Sequence, residues 1–129
     1  MSKYQAKNFK SSAKFAIRGL RLALRSQRNV KKHLKILISM LALAIVLKFS
    51  FLHLAIFLLT AFLTIVAELF NSAIEFALDA YFKNKYSNMV KMAKDISAGA
   101  VMLMACVNVL IFLLLFFDIL FTQGLHFLI

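Results

Sequence analysis

Basic residues recur at every third or fourth position along the first part of the chain. From Lys7 to Lys32 they stand at positions 7, 10, 14, 18, 21, 25, 28 and 32, which is close to the period of an α-helix. Apolar residues such as Phe9, Ile17 and Leu24 recur on the opposite side. The pattern predicts an amphipathic helix on a membrane surface, and a basic helix that binds a partner is the alternative.

Three long apolar segments follow, at residues 34–51, 52–67 with a helical continuation to 82, and 96–117. Each is long enough to cross a bilayer. Lys48 lies near the far end of the first, where its long side chain can reach the interface. We therefore predict an all-α membrane protein with two regions. Residues 1–33 form the surface helix, and residues 34–129 form a bundle of three transmembrane helices at 34–51, 52–82 and 96–117.

The distribution of Lys and Arg predicts the orientation of these segments. Eleven precede Ile36, one separates the first two apolar segments, four separate the second and third, and none follows. The N-terminus and residues 80–95 should therefore be cytoplasmic and the C-terminus outside. No small-residue cleavage pattern follows the first apolar stretch, so we expect the N-terminus to be retained.

Composition narrows the class of protein further. The chain has 129 residues, is 63% hydrophobic, contains no proline and carries a net charge of +11. The basic residues adjoin apolar segments without a nucleic-acid-binding motif, so we expect anionic lipid headgroups, and no nucleic acid, as their counter-charge. One cysteine, Cys106, excludes an internal disulfide. No phosphate-binding glycine loop, zinc motif or nucleophile elbow is present, which excludes the common soluble catalytic frameworks.

Acidic residues cluster where the second apolar segment ends. Four of the five lie in one 28-residue window: Glu68, Glu75, Asp79 and Asp95. On a helix the first three share an arc of about 100° with Asn71 and Ser72, while apolar residues occupy much of the remainder. This stripe should face protein or a wet cleft. Cation binding, a proton relay or channel, and structural pairing with basic side chains are the open interpretations.

Cations accompany these carboxylates in the segment from Lys83 to Asp95. Lysines beside carboxylates at a membrane edge suit a metal-bound polyphosphate, because Lys contacts phosphate oxygens while Asp or Glu holds Mg²⁺. The small residues at positions 97–100 then permit close packing of the next helix. His33, His53 and His126 are isolated in the sequence, so a packing role is expected for each.

The run Glu68-Leu-Phe-Asn71-Ser72-Ala73-Ile-Glu75, followed by Asp79 and by Ala93-Lys94-Asp95, resembles the prokaryotic diacylglycerol kinase and undecaprenol kinase family. The resemblance implies a homotrimer in the bacterial inner membrane, with active sites between subunits at the cytoplasmic face. It also implies transfer of the γ-phosphate of ATP, with Mg²⁺, to a lipid alcohol.

The same resemblance implies roles for individual residues. Glu68 would be the general base and contact the lipid together with Ala98, and Asn71 would support the base. Glu75 would ligate the metal. The nucleotide would contact Phe15, Gln27, Glu75, Tyr86, Lys94 and Asp95.

Gln27 departs from the family pattern, because family members usually carry Glu before the Arg-Asn pair at this point. A neutral carbonyl oxygen would replace a charged metal ligand. Weaker metal binding, a substitute ligand such as Asp79, or a catalytically silent membrane assembly protein would follow. Arg28-Asn29 with His33 looks more like the undecaprenol kinases, so undecaprenol is favoured as the lipid and diacylglycerol is the alternative.

Overall fold

The computed structural model describes residues 8–83 and 85–128, and all of its regular structure is helical. Four helices follow one another: α1 at Phe9–Ser26, α2 at Arg28–Val46, α3 at Phe51–Phe82 and α4 at Asn88–Leu128. Helices as long as α3 and α4 are compatible with a chain that has no proline to break the hydrogen-bond ladder. The predicted all-α class is confirmed.

The first helix begins at a reciprocal cap. The Asn8 side chain accepts a hydrogen bond from the Ser11 amide (2.9 Å), and the Ser11 hydroxyl accepts one from the Asn8 amide (3.1 Å). Two of the amides that a helix start leaves unpaired are thereby satisfied. Large apolar residues of α1 such as Phe9, Ile17 and Leu20 are exposed, as expected of a helix whose apolar face meets lipid.

A single extended residue, Gln27, separates α1 from α2, with φ −95° and ψ 114°. The break therefore falls six residues before the boundary that the sequence predicted at residue 33. The basic period runs through the break without interruption, so periodicity could not reveal it. Residues 28–33 consequently belong to the same helix as the first apolar segment.

A tight turn divides α2 from α3. Lys48 adopts a left-handed backbone conformation with φ 57°, and the Phe49 amide donates a hydrogen bond back to the Ala44 carbonyl (3.0 Å). Ser50 then caps α3 by accepting from the His53 amide (3.2 Å). The sequence predicted the division between residues 51 and 52, and the structure places it at residues 47–50.

The core lies mainly between α3 and α4, with α2 packed on α3 and α1 touching α2. Phe57 is fully buried, and its ring meets Phe112 edge to face at a centroid distance of 5.4 Å. The Asn108 side-chain amide donates to the Thr60 hydroxyl (2.9 Å). Interlocking side chains and interhelical hydrogen bonds of this kind hold helices together in lipid, where apolar burial alone contributes little.

Two of the described helices, α3 over Phe51–Phe82 and α4 over Asn88–Thr122, are long and apolar enough to cross a membrane. Most of their large apolar side chains, for example Leu59, Phe62 and Leu113, point away from the protein. The helix α2 is not one of these two, and four of its first eight residues are Lys or Arg. The predicted span at residues 34–51, which lies in α2, and the trimer remain predictions.

His33 on α2 is half-buried and lines a small cavity with Thr64 and Asn108. Burial lowers the pKa of its imidazole. The ring therefore stays neutral near pH 7, because the charged form is disfavoured away from water. This state agrees with the packing role expected of His33.

Candidate active site

The end of the bundle where α3 finishes and α4 begins, called the site end below, carries the acidic stripe. Glu68, Asn71 and Ser72 are buried, with 3%, 4% and 4% of their surface exposed, while Glu75 and Asp79 are half-buried. Polar groups at these depths face protein and not the acyl chains, as the helical projection predicted. The sequence thus predicted which side of α3 is covered.

Asn71 connects the stripe to α4. Its carbonyl oxygen accepts a hydrogen bond from the Ser97 hydroxyl (2.7 Å), and its amide nitrogen donates to Glu75 Oε1 (3.3 Å). Both groups of the side chain are used, which fixes its orientation. Asn71 therefore holds the Glu75 carboxylate in position and ties it to the start of α4.

Asp79 and Lys94 form an ion pair between the last turns of α3 and the first turns of α4, with Lys94 Nζ donating to Asp79 Oδ1 at 2.5 Å. The connection between the helices makes this approach possible. Lys83 ends α3 in a left-handed conformation with φ 51°, and its amide bonds to the Asp79 carbonyl. The chain can then reverse within a few residues.

Beside this pair lies a cavity of about 450 Å³ at the site end. Its charged lining consists of three lysines and two aspartates: Asp79, Lys85, Lys91, Lys94 and Asp95. Tyr86 also lines it, with an exposed ring whose hydroxyl donates to Asn88 Oδ1 (2.8 Å). Ammonium groups that can bind phosphates, next to an aromatic ring that can stack on a base, suit a nucleoside polyphosphate.

The structure brings together most of the predicted site residues but not all of them. Glu68, Asn71 and Glu75 share one face of α3, and Tyr86, Lys94 and Asp95 line the cavity. Ala98 is exposed on α4, one residue after Ser97. Phe15 and Gln27, in contrast, do not line the cavity. Phe15 is exposed on α1 with the Arg18 guanidinium 6.0 Å from its ring centre, and Gln27 is half-buried at the helix break.

Three participants at the site end were not selected from the sequence as site residues. Ser97 bonds to Asn71, and Lys85 and Lys91 line the cavity. Ser97 belongs to the small-residue run at positions 97–100, in which the sequence analysis gave a site role to Ala98 only. The lysines belong to a charge run, and charge runs most often face water.

Within the described part of the chain, no group of three or more His, Cys, Asp or Glu side chains is arranged to hold a metal ion. Mg²⁺ is commonly held by one or two carboxylates together with substrate phosphates and water. Glu75, oriented by Asn71, is a carboxylate that could serve as such a ligand.

Comparison with known proteins finds a matching family and a relative of this chain. Residues 14–116 match the prokaryotic diacylglycerol kinase family. The chain is also 32% identical over 106 residues to a protein from Synechocystis sp. named diacylglycerol kinase. That alignment covers 82% of this chain and 61% of the relative, so the chain spans about three fifths of the relative's length.

Proposed function

Because this chain belongs to the prokaryotic diacylglycerol kinase family, we propose that it transfers the γ-phosphate of ATP to the hydroxyl group of a membrane lipid. The observation that carries the proposal is the lysine-lined cavity at the site end, next to the series of buried and half-buried carboxylates of α3. Water-soluble ATP can enter such a cavity, while a lipid hydroxyl can reach Glu68 from the bilayer.

In the proposed reaction the lipid oxygen attacks the γ-phosphorus, the bond between the γ-phosphorus and the β,γ-bridging oxygen breaks, and ADP leaves. Glu68 accepts the hydroxyl proton. Glu75 follows Glu68 by seven positions, roughly 10 Å along the helix, which leaves room for a phosphoryl group between base and metal ligand. Phosphoryl transfer depends mainly on positioning and charge neutralisation, so the protein needs little further chemistry.

The other predicted site residues on α3 and α4 also have roles in this proposal. Asn71 orients Glu75, which would hold Mg²⁺, and the bound metal would neutralise charge on the β- and γ-phosphates. Lys94 exchanges Asp79 for phosphate oxygens, Asp95 contacts the nucleotide, and Tyr86 packs against the base. Ala98, which lacks a large side chain, leaves space for the lipid beside Glu68.

We propose a homotrimer of three-span subunits with the site end in the cytoplasm. The separation of Phe15 and Gln27 from the cavity supports this assembly, because a neighbouring α1 could then supply these residues to each site. Crosslinking in detergent should trap trimers. A cysteine placed at Lys91 should resist an impermeant thiol reagent added to intact cells, and labelling from outside would reverse the orientation.

The lipid has two candidates. Arg28, Asn29 and His33 favour undecaprenol, whereas the name of the Synechocystis relative points to diacylglycerol. Purified protein in mixed micelles should move labelled γ-phosphate to at least one of them, and only with Mg²⁺ present. Turnover should fall about 10²- to 10⁴-fold in Glu68→Gln, as expected for loss of a general base, while the matched control Asp118→Asn, at the opposite end of the bundle, should keep wild-type activity.

A second candidate function follows from Gln27. The family's usual carboxylate is missing at this position, so the chain could keep the fold as a membrane assembly protein without catalysis. This alternative predicts trimers that phosphorylate neither lipid and that gain turnover on Gln27→Glu. Phosphorylation of either lipid by the wild-type protein at full turnover would exclude this alternative.

A further inference from the structure

Four cations share one face at the start of α2, called the basic face below. All four side chains are exposed, and they belong to Arg28, Lys31, Lys32 and Lys35. On a helix these positions fall within an arc of about 100° and over roughly 10 Å of its axis. The buried residues Val30 and Leu37 project on the opposite side of α2, and Leu37 belongs to the core that α2 shares with α3. The basic face therefore points away from the bundle.

The basic face has no counter-charge within the described part of the chain. No Asp or Glu precedes Glu68 in the sequence, and neither ion pair found among the described residues involves α2. Lys31 Nζ donates to the Arg25 carbonyl (3.0 Å), but that partner is neutral. Like charges three and four positions apart destabilise a helix, and so do cations at the positive end of its dipole. An external anion would relieve both effects.

Beyond Lys35 the same side of α2 becomes mainly apolar. Ser39, Ala42 and Val46 project within the arc of the basic face, and all three are exposed, Val46 to 75%. From Lys35 to Val46 the helix rises roughly 16 Å, which is close to half of the ~30 Å hydrocarbon layer. The side of α2 that faces away from the protein thus matches the shape of one phospholipid, a charged headgroup followed by an acyl chain one leaflet long.

We propose that the basic face of α2 binds an anionic phospholipid of the cytoplasmic leaflet, with its phosphate among the four cations and an acyl chain along residues 39–46. Arg offers phosphate two parallel N–H donors, and each Lys offers a compact charge. None of these residues lines the lysine-lined cavity at the site end, so this lipid is bound without being phosphorylated. The inference uses the proposed three-span arrangement and does not depend on kinase activity.

A tryptophan introduced beside the basic face can identify the neighbouring lipid, because the chain contains no tryptophan of its own. Ser39→Trp places this reporter on the proposed acyl-chain path. Leu103→Trp is the matched control, since Leu103 is 64% exposed on α4. Its depth is similar, because Met40 of α2 and Ala105 of α4 line one cavity. The full chain is reconstituted in phosphatidylcholine bilayers with a small share of phosphatidylglycerol, and one lipid at a time carries bromine, which quenches tryptophan fluorescence.

Brominated phosphatidylglycerol should quench Ser39→Trp more strongly than its share of the bilayer predicts. We expect its affinity relative to phosphatidylcholine to be at least about fivefold higher, because one cation beside an anionic headgroup changes binding by about that factor. Leu103→Trp should be quenched without a preference. Adding Lys32→Gln and Lys35→Gln should remove the preference at Ser39→Trp. Adding Lys10→Gln and Lys14→Gln, which removes the same charge from α1, should preserve it.

An equal preference at both reporters would indicate only a general attraction of phosphatidylglycerol to a basic protein and would overturn the inference. A preference at Ser39→Trp that survives the loss of Lys32 and Lys35 would overturn it as well. If neither lipid quenched Ser39→Trp, this side of α2 would be covered by a second copy of the chain or by another protein, and the lipid site would be wrong. Failure of the proposed kinase function would not change the quenching, so the two proposals are tested separately.

Discussion

Lys94 of α4 and Asp79 of α3 are joined by an ion pair with 2.5 Å between Nζ and Oδ1, at the edge of the lysine-lined cavity. Both side chains are partly exposed, at 32% and 41%. In the proposed reaction, the phosphate oxygens of the nucleotide therefore compete with a carboxylate for this ammonium group.

Asp79→Asn should lower the KM for ATP by up to about fivefold. A half-exposed ion pair contributes roughly 1 kcal/mol or less, and removing the carboxylate both frees Lys94 and reduces repulsion of an anionic nucleotide. Steady-state kinetics at fixed Mg²⁺ measure the effect, with Asp118→Asn as the control. A higher KM together with weaker Mg²⁺ dependence would instead make Asp79 a substitute metal ligand.

Asn71→Ala should reduce activity by about 10- to 100-fold, the range typical for residues that orient a metal ligand. The reason is that Glu75 loses the donor that fixes its carboxylate. The Mg²⁺ concentration for half-maximal activity should rise as well. Ser97→Ala removes only the second bond of Asn71 and should give a smaller loss; a larger loss than that of Asn71→Ala would contradict this account.

Gln27→Glu should increase Mg²⁺ affinity several-fold, since a charged oxygen is a better ligand for a hard cation than an amide oxygen. The side chain makes no capping hydrogen bond to α2 that the change would break. Activity measured across Mg²⁺ concentrations provides the comparison, with Gln27→Met as the control of similar shape. An unchanged Mg²⁺ requirement would place residue 27 outside the metal's reach.

His53 and Asp118 pair at the end of the bundle opposite the site, with 3.2 Å between Nε2 and Oδ2. Asp118 is largely exposed, so we expect a coupling free energy below about 1 kcal/mol. Thermal unfolding of His53→Ala, Asp118→Asn and the double variant in detergent measures the coupling. Kinase activity should not change in any of them, and a catalytic defect would show communication between the two ends.

Stability should decrease on acidification through His33. Because burial lowers the pKa of His33, the unfolded chain takes up a proton at higher pH than the folded protein does. Above about pH 6.5 both states are neutral and this residue has no effect, whereas below it the unfolded state is favoured. The unfolding midpoint should therefore fall less between pH 7 and 5.5 in His33→Gln than in wild type; equal slopes would refute the assignment.

The sequence predicted the helices and the buried face of α3 because both depend on residue spacing within one helix. Glu68, Asn71 and Ser72 are covered as the helical projection required. The partners of that face could not be predicted in the same way. Asn71 and Ser97 are 26 positions apart in the sequence, and their contact depends on the turn at Lys83. Lys83 adopts a left-handed backbone conformation there, and nothing in the residue pattern predicts it.

The interruption at Gln27 was also missed, and it has a geometric consequence. If this residue were helical, residues 9–46 would form one rod roughly 57 Å long, almost twice the ~30 Å thickness of the hydrocarbon layer. In the arrangement that we propose, α1 rests on the headgroups and α2 enters the bilayer, which one rigid rod of that length could not do. The single extended residue Gln27 would then supply the change of direction at the membrane boundary.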